Sequence, residues 1–350
     1  MSAPAPTLLL PAALADPAWL GADRMAGLAR EPGWSALARR SRTIAQAGPE
    51  DRPSSDPGHE RWLRTRLGLP ADAALAACAA LADAAPQAAW RLDPVHLHVG
   101  RDHLVLTDPG ALALDEDDAR ALADSIAPLF VAEGLALEVP GPTRWYLREL
   151  DPARPLRLVT RPLAGAIGRN IDAWQPTGDD VRRWRRLVNE VQMTWHAHPL
   201  NARREFARQP TVNSLWIEGR VPPATPGARA AARLAVRDDD RSREPDTGDD
   251  RTLDLDTGDG HLLVDDRLLA AQLAGDPQQW AEAWRALDGT VFAAMARAEG
   301  PWRTGARLVL AGDAGWREIG VAPRADWRFW RRADAAALLA EPSAARSATP

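Results

Sequence analysis

Lysine is absent: all 43 positive charges of this 350-residue chain are arginine. That excludes a lysine Schiff base and the lysine of a phosphate-binding P-loop. The single cysteine, Cys78, excludes an internal disulfide, and its place in the run DAALAACAALADAA reads as a small core residue. No segment is long and apolar enough to span a bilayer. The start, MSAPAPTLLLPAAL, has no basic region before an apolar run that Pro11 interrupts. No G-x-S-x-G elbow and no G-x-G-x-x-G occurs. The net charge of −5 argues against a nucleic-acid binder. The expectation is a cytoplasmic protein that engages neither membrane nor nucleic acid.

What is present suits a folded chain, with 45% hydrophobic and 26% charged residues. Thr7 to Leu10 reads as a buried opening strand, with helical patterns over 19–29, 35–45, 59–67 and 72–84. Val95, Leu97 and Val99 alternate with His96 and His98, a strand signature, and a turn at 100–102 returns the chain as a hairpin through Leu106. Residues 115–130 open with carboxylates that complement a helix dipole. Segments 135–139 and 144–150 form an antiparallel pair. Strands are expected again at 261–264, 307–310 and 316–321, with helices at 265–273 and 277–298. Trp280, Trp284, Leu287 and Val291 lie at helical spacing in the second of these. Asp265 and Asp266 read as cap and first-turn residues.

This alternation predicts an α/β fold, a layered mixed β-sheet flanked by helices. The expected organisation is a main domain over 1–220 and a charged flexible linker over 221–258, which contains VRDDDRSREPDTGDD. Residues 259–340 complete the same domain, and 341–350 form a tail.

The stretch from Val181 to Gly219 is the most informative. Val181, Trp184, Val188, Val191 and Trp195 form one apolar helical stripe, with Arg182, Arg183, Arg186 and Glu190 opposite. Arg185, Asn189, Gln192 and His196 recur beside the stripe, where side chains can line the rim of a cleft. Pro199 and Pro210 set boundaries, leaving His198 and Gln209 extended. A short basic helix follows with Asn201 as its cap and Arg203 and Arg204 within it, and then a strand through Trp216. A helix start beside arginines suits an anion such as phosphate or carboxylate.

Two histidine groups could ligate metal. His96, His98 and His103 could hold zinc or manganese beside Asp102 or Asp108. His196 and His198 are a second pair, more attractive as part of an anion site. No resident cofactor is implied otherwise.

The segment HAHPLNARREFARQPTVNSLWIEG, from His196 to Gly219, resembles the signature of RpfE-type regulatory proteins, often described as phosphoglycerate mutase-like. Supporting pieces are RWYLR at Arg144 to Arg148, the strand DPVH at Asp93 to His96, and DDRLL with its following tryptophans, from Asp265 to Trp284. A more distant likeness is to archaeal-type cofactor-independent phosphoglycerate mutases, within the alkaline phosphatase-like superfamily. That likeness implies a degenerate alkaline phosphatase-like scaffold. It also makes Asn201, Arg203, Asn213 and Trp216 candidates for holding a phosphorylated acid. The chain departs from that superfamily in its opening strand, where TLLLPAALADP stands in place of a metal-binding aspartate and glycine. The later metal motifs and a nucleophilic serine or threonine are also missing. The resulting expectation is a bacterial, non-catalytic regulatory protein that binds a phosphorylated metabolite or a protein partner. The enzyme alternative is a phosphoglycerate mutase-like isomerase working through the histidine cluster and a metal. A third expectation is that exposed tryptophans serve a partner interface.

Overall fold

The structure, a computed structural model, describes residues 5–48, 56–70, 72–83, 85, 87–100, 103–241, 252–256, 261–323 and 334–342. The chain gathers into two compact units, one from 1–63 with 248–350 and the other from 64–247. The opening and closing segments share one sheet.

The chain enters through β1 (Thr7–Leu14), buried along its whole length. Helices α1 (Pro17–Leu20), α2 (Ala22–Leu28) and α3 (Pro32–Ala38) follow. The helix expected over 35–45 ends early, and β2 (Ser41–Ala47) takes its second half. Thr43 and Ile44 favour extended backbone, and sheet pairing overrides the helix propensity of the alanines beside them. In α4 (Gly58–Arg66) the chain passes to the second unit.

The second unit is built on a four-stranded antiparallel sheet. The 72–84 helix is realised only as a 3-10 turn over Ala76–Leu81 that buries Cys78. Next come β3 (Trp90–Val95), β4 (Leu97–Val99), β5 (Leu104–Leu106), α5 (Glu116–Ala132), β6 (Leu135–Glu138) and β7 (Trp145–Glu149). Then follow α6 (Leu163–Ala166), α7 (Val181–His196), α8 (Pro199–Phe206) and β8 (Ser214–Arg220). The sheet order is β6-β7-β3-β8, and β4 and β5 make the expected hairpin. One sheet face presents Trp90, Leu92, Trp145, Leu147, Leu215 and Ile217 to a core shared with α5 and α7. Residues 226–241, expected within a linker, form α9 (Pro226–Arg241). Its Ala228, Ala231, Ala232, Leu234 and Ala235 are buried. This alanine face is small enough for close packing, and a Cβ at Gly227 would overlap the Leu67 carbonyl. The later part of that run, 242–251, lies outside the described residues.

The closing segment supplies β9 (Thr252–Asp256), β10 (His261–Asp265), α10 (Arg267–Leu273), α11 (Pro277–Leu287) and α12 (Ala293–Arg297). It ends with β11 (Ala306–Gly312), β12 (Trp316–Val321) and α13 (Ala335–Leu339). These complete the first unit's sheet, of order β2-β12-β11-β1-β10-β9. β1 is parallel to β10 and β11, and the other pairings are antiparallel, so the sheet is mixed as expected. Trp280 and Trp284 stack at 5.5 Å with planes 10° apart, and Trp34 meets Trp284 edge-on at 5.4 Å. The buried Asp288 carboxylate accepts from the Gly33 and Trp34 N–H groups at 3.0 and 2.5 Å, capping α3 from a distant part of the chain. A Cβ at Gly33 would collide with the Asp288 carbonyl. None of the described tryptophans is exposed; Trp327 and Trp330 lie outside the described residues. Among the described residues no helix is long and apolar enough to cross a membrane.

Candidate functional site

The distinctive stretch folds as helix, elbow, helix and strand. In α7 the buried stripe is Trp184, Leu187, Val191 and Trp195, with Val181 and Val188 half-buried at its edges. Trp195 donates from Nε1 to the Leu122 carbonyl on α5 at 3.1 Å and meets Trp145 edge-on. His198 is extended, as Pro199 demands, and its Nδ1 accepts from the Leu200 N–H at 3.2 Å. His198, and not Asn201, therefore caps α8.

Asn201 lies inside α8 and is buried. Its amide donates to the Trp195 and Val212 carbonyls, each at 2.8 Å, and accepts from the Val212 N–H at 2.9 Å. Arg204, three residues on, is also buried; it donates from Nε to the Pro210 carbonyl at 2.7 Å and from Nη2 to the Leu112 carbonyl. Burial lowers its pKa, with Asp118 opposing. Arg203 points outward, its side chain 69% exposed, and reaches the Asp118 carboxylate at 3.2 Å. Asn213 accepts from the Leu97 N–H at 2.7 Å and donates to the Leu97 carbonyl at 2.9 Å. Trp216 is buried beside Trp174 and donates to the Arg161 carbonyl at 3.2 Å. On the helical shoulder Gln192 donates to the Ser214 hydroxyl at 3.3 Å. Arg185, Asn189 and His196 are exposed and make no side-chain hydrogen bond among the described residues. The site thus divides. Asn201, Arg204, Asn213 and Trp216 bond to backbone and hold the elbow, whereas Arg185, Asn189, His196 and Arg203 face outward.

The histidines are partly assembled. His96 Nδ1 donates to the Thr211 carbonyl at 2.8 Å, which leaves Nε2 as the nitrogen with a lone pair. The His98 ring lies 6.5 Å from it, and His98 is exposed. The His103 carbonyl accepts from the Gly100 N–H at 2.8 Å and closes the hairpin. Among the described residues no three His, Cys, Asp or Glu side chains are grouped to hold a metal ion; Asp102 lies outside them.

The tertiary structure joins pieces that the sequence left separate. RWYLR runs into β7, DPVH ends β3 and NSLWIEG runs into β8, so three fragments of the motif lie on neighbouring strands. The sheet face opposite the apolar core carries buried charge. Arg91 pairs with Asp93 through Nη2 at 2.6 Å, donates to the Thr143 carbonyl at 3.1 Å, and lies 5.8 Å from the Tyr146 ring centre. The Tyr146 hydroxyl donates to Asp83 at 2.6 Å, and Arg144 Nε donates to the same carboxylate at 3.0 Å. Glu218, also buried, stands opposite Arg91 in register. The alternation Trp90, Arg91, Leu92, Asp93 was the available signal, but alternation by itself reads as one wet face and one dry one.

A second polar cluster belongs to the first unit. Burial lowers the pKa of His59 to about 4, against the pull of Asp313. Asp313 follows β11 and accepts from the Gln272 amide at 2.6 Å. His59 is therefore neutral at neutral pH.

No family model matches the chain, and no curated protein matches it. Among solved structures it is similar to the PH0037 protein from Pyrococcus horikoshii, at 14% identity over 92% of this chain and 88% of that one, with a TM-score of 0.47. It is also similar to the cofactor-independent phosphoglycerate mutase from Thermoplasma acidophilum, at 14% identity over 91% and 90%, with a TM-score of 0.34. Likeness at this distance assigns no residue a role.

Proposed function

We propose that the chain is a non-catalytic, regulatory binding protein that docks a protein partner on the outward face of α7 and α8. One observation carries this. Phe206 is 94% exposed and Met193 71% exposed, on two successive helices whose motif residues turn inward to the backbone. A helix pair held this firmly is a rigid platform, and exposed aromatic and methionine side chains are the types that anchor interfaces. The RpfE-type resemblance of the same segment supports a regulatory role.

The test places a photoreactive residue at position 206 and, as a control, at the exposed Val131. An adduct formed only from position 206 and abolished by Met193→Asp supports the reading. Equal labelling from both positions, or none, overturns it.

A second reading, a phosphorylated metabolite held by Arg185, His196, His198 and Arg203, is supported by the outward, unbonded state of Arg185 and His196. A thermal-shift series of phosphorylated three-carbon acids, with and without zinc or manganese, tests it beside Arg203→Ala. A ligand at about 100 times its Kd adds roughly 2.7 kcal/mol. A metal-free shift lost in the variant supports this site. A shift that requires metal, together with phosphoglycerate turnover, favours the enzyme reading through His96 and His98.

A further inference from the structure

Charge is distributed unevenly over this chain. Its net charge is −5, yet from Val181 to Arg208 there are seven arginines and only two acidic residues, Glu190 and Glu205. The structure shows which of these arginines are already engaged. Arg204 is buried, Arg183 and Arg186 both bond Glu133, and Arg203 reaches Asp118. Arg182, Arg185 and Arg208 are exposed and have no ion pair among the described residues. On α7, Arg182 lies on the side away from Trp184, Leu187, Val191 and Trp195, as Met193 does, and Arg185 stands exposed beside that stripe. On α8, Phe206 likewise points away from the buried Leu200, Asn201 and Arg204.

From this we infer that the outward face of α7–α8 receives an acidic protein segment that also carries apolar side chains. The inference rests on the partner-binding reading above and names the partner's chemistry. Unengaged guanidinium forks select carboxylates and hold them in two-point contact. Met193 and Phe206 gain from an apolar cover that a purely polyanionic ligand does not provide. A polynucleotide carries a charge at every residue and would set phosphates against the exposed Glu190 and Glu205, whereas a peptide can place uncharged apolar residues there. Complementary charge should speed encounter and make binding weaken with salt.

The experiment uses the full chain and three fluorescent probes. One is a peptide of about 16 residues with glutamate and leucine at helical spacing. The others are its lysine–leucine counterpart and a single-stranded oligothymidine of similar length. Anisotropy is read at roughly 50 and roughly 300 mM salt. The expected result is binding of the acidic peptide alone, weakened about tenfold or more at high salt. Phe206→Ser and the double variant Arg182→Glu with Arg185→Glu should each weaken it at least about tenfold, with unchanged melting temperatures. Preference for the lysine peptide or the oligothymidine overturns the inference. So does acidic-peptide binding that ignores Phe206→Ser, since that would be charge attraction without an apolar seat. If position 206 crosslinks a partner specifically while the acidic peptide does not bind, the charge inference fails and the partner reading stands. If neither occurs, both fail.

Discussion

The Asn201 side chain satisfies both backbone groups of Val212, donating to its carbonyl at 2.8 Å and accepting from its N–H at 2.9 Å. It thereby fixes α8 to the segment that enters β8, and it does so from a position where motif reasoning places a ligand contact. Asn201→Ala takes the side-chain partner from both buried backbone groups of Val212, while the Trp195 carbonyl keeps the bond from the His198 N–H. The expected cost is about 2–4 kcal/mol in urea unfolding, with Asn201→Asp also destabilising because the carboxylate cannot donate. A stable Asn201→Ala variant with altered ligand response would return Asn201 to the ligand site.

The adjacent arginines should behave oppositely. Arg204 is buried with its donors on two carbonyls, so Arg204→Ala is expected to cost roughly 2–4 kcal/mol. Arg203 makes one exposed ion pair, and Arg203→Ala should change stability by less than about 1 kcal/mol. Denaturant midpoints of the two variants, measured side by side, decide this.

Glu133 joins the end of α5 to α7 through Arg183 and Arg186. Burial pushes its pKa up, but the two guanidiniums together outweigh burial and hold it below the ordinary 4.5. A carboxyl with a depressed folded pKa contributes stability above its unfolded value, and that contribution is lost as pH falls through the folded one. Acid titration of stability below about pH 5 should therefore be shallower in Glu133→Gln, which should differ little from the parent at low pH.

His59 predicts a different window. Its folded pKa is lowered to about 4 from 6.5, so between these values the unfolded chain binds more protons than the folded one. Stability is then expected to rise with pH across that interval, by at most about 1.4 kcal/mol per unit, and to level off above it. His59→Gln should flatten the slope between pH 4 and 6.5 in urea titrations, and an unchanged slope would contradict the assignment.

Local chemistry in the sequence determined much of this protein. Period and punctuation placed β1, the β4–β5 hairpin, α5, α7, α11 and the late strands, because their burial stripes repeat within one element. Proline placed the elbow at His198. Pairing partners distant in the chain decided the rest. β2 became a strand because β12 lies beside it, and α9 became a helix because its alanine face packs against the 3-10 turn over Ala76–Leu81. Asn201, Arg204 and Asn213 hold their positions through carbonyls and N–H groups on other segments, and the type of a side chain does not reveal which backbone it will meet. The sequence determined that polar residues gather at this elbow. Only tertiary structure decided which of them turn inward to hold it and which remain outside to bind.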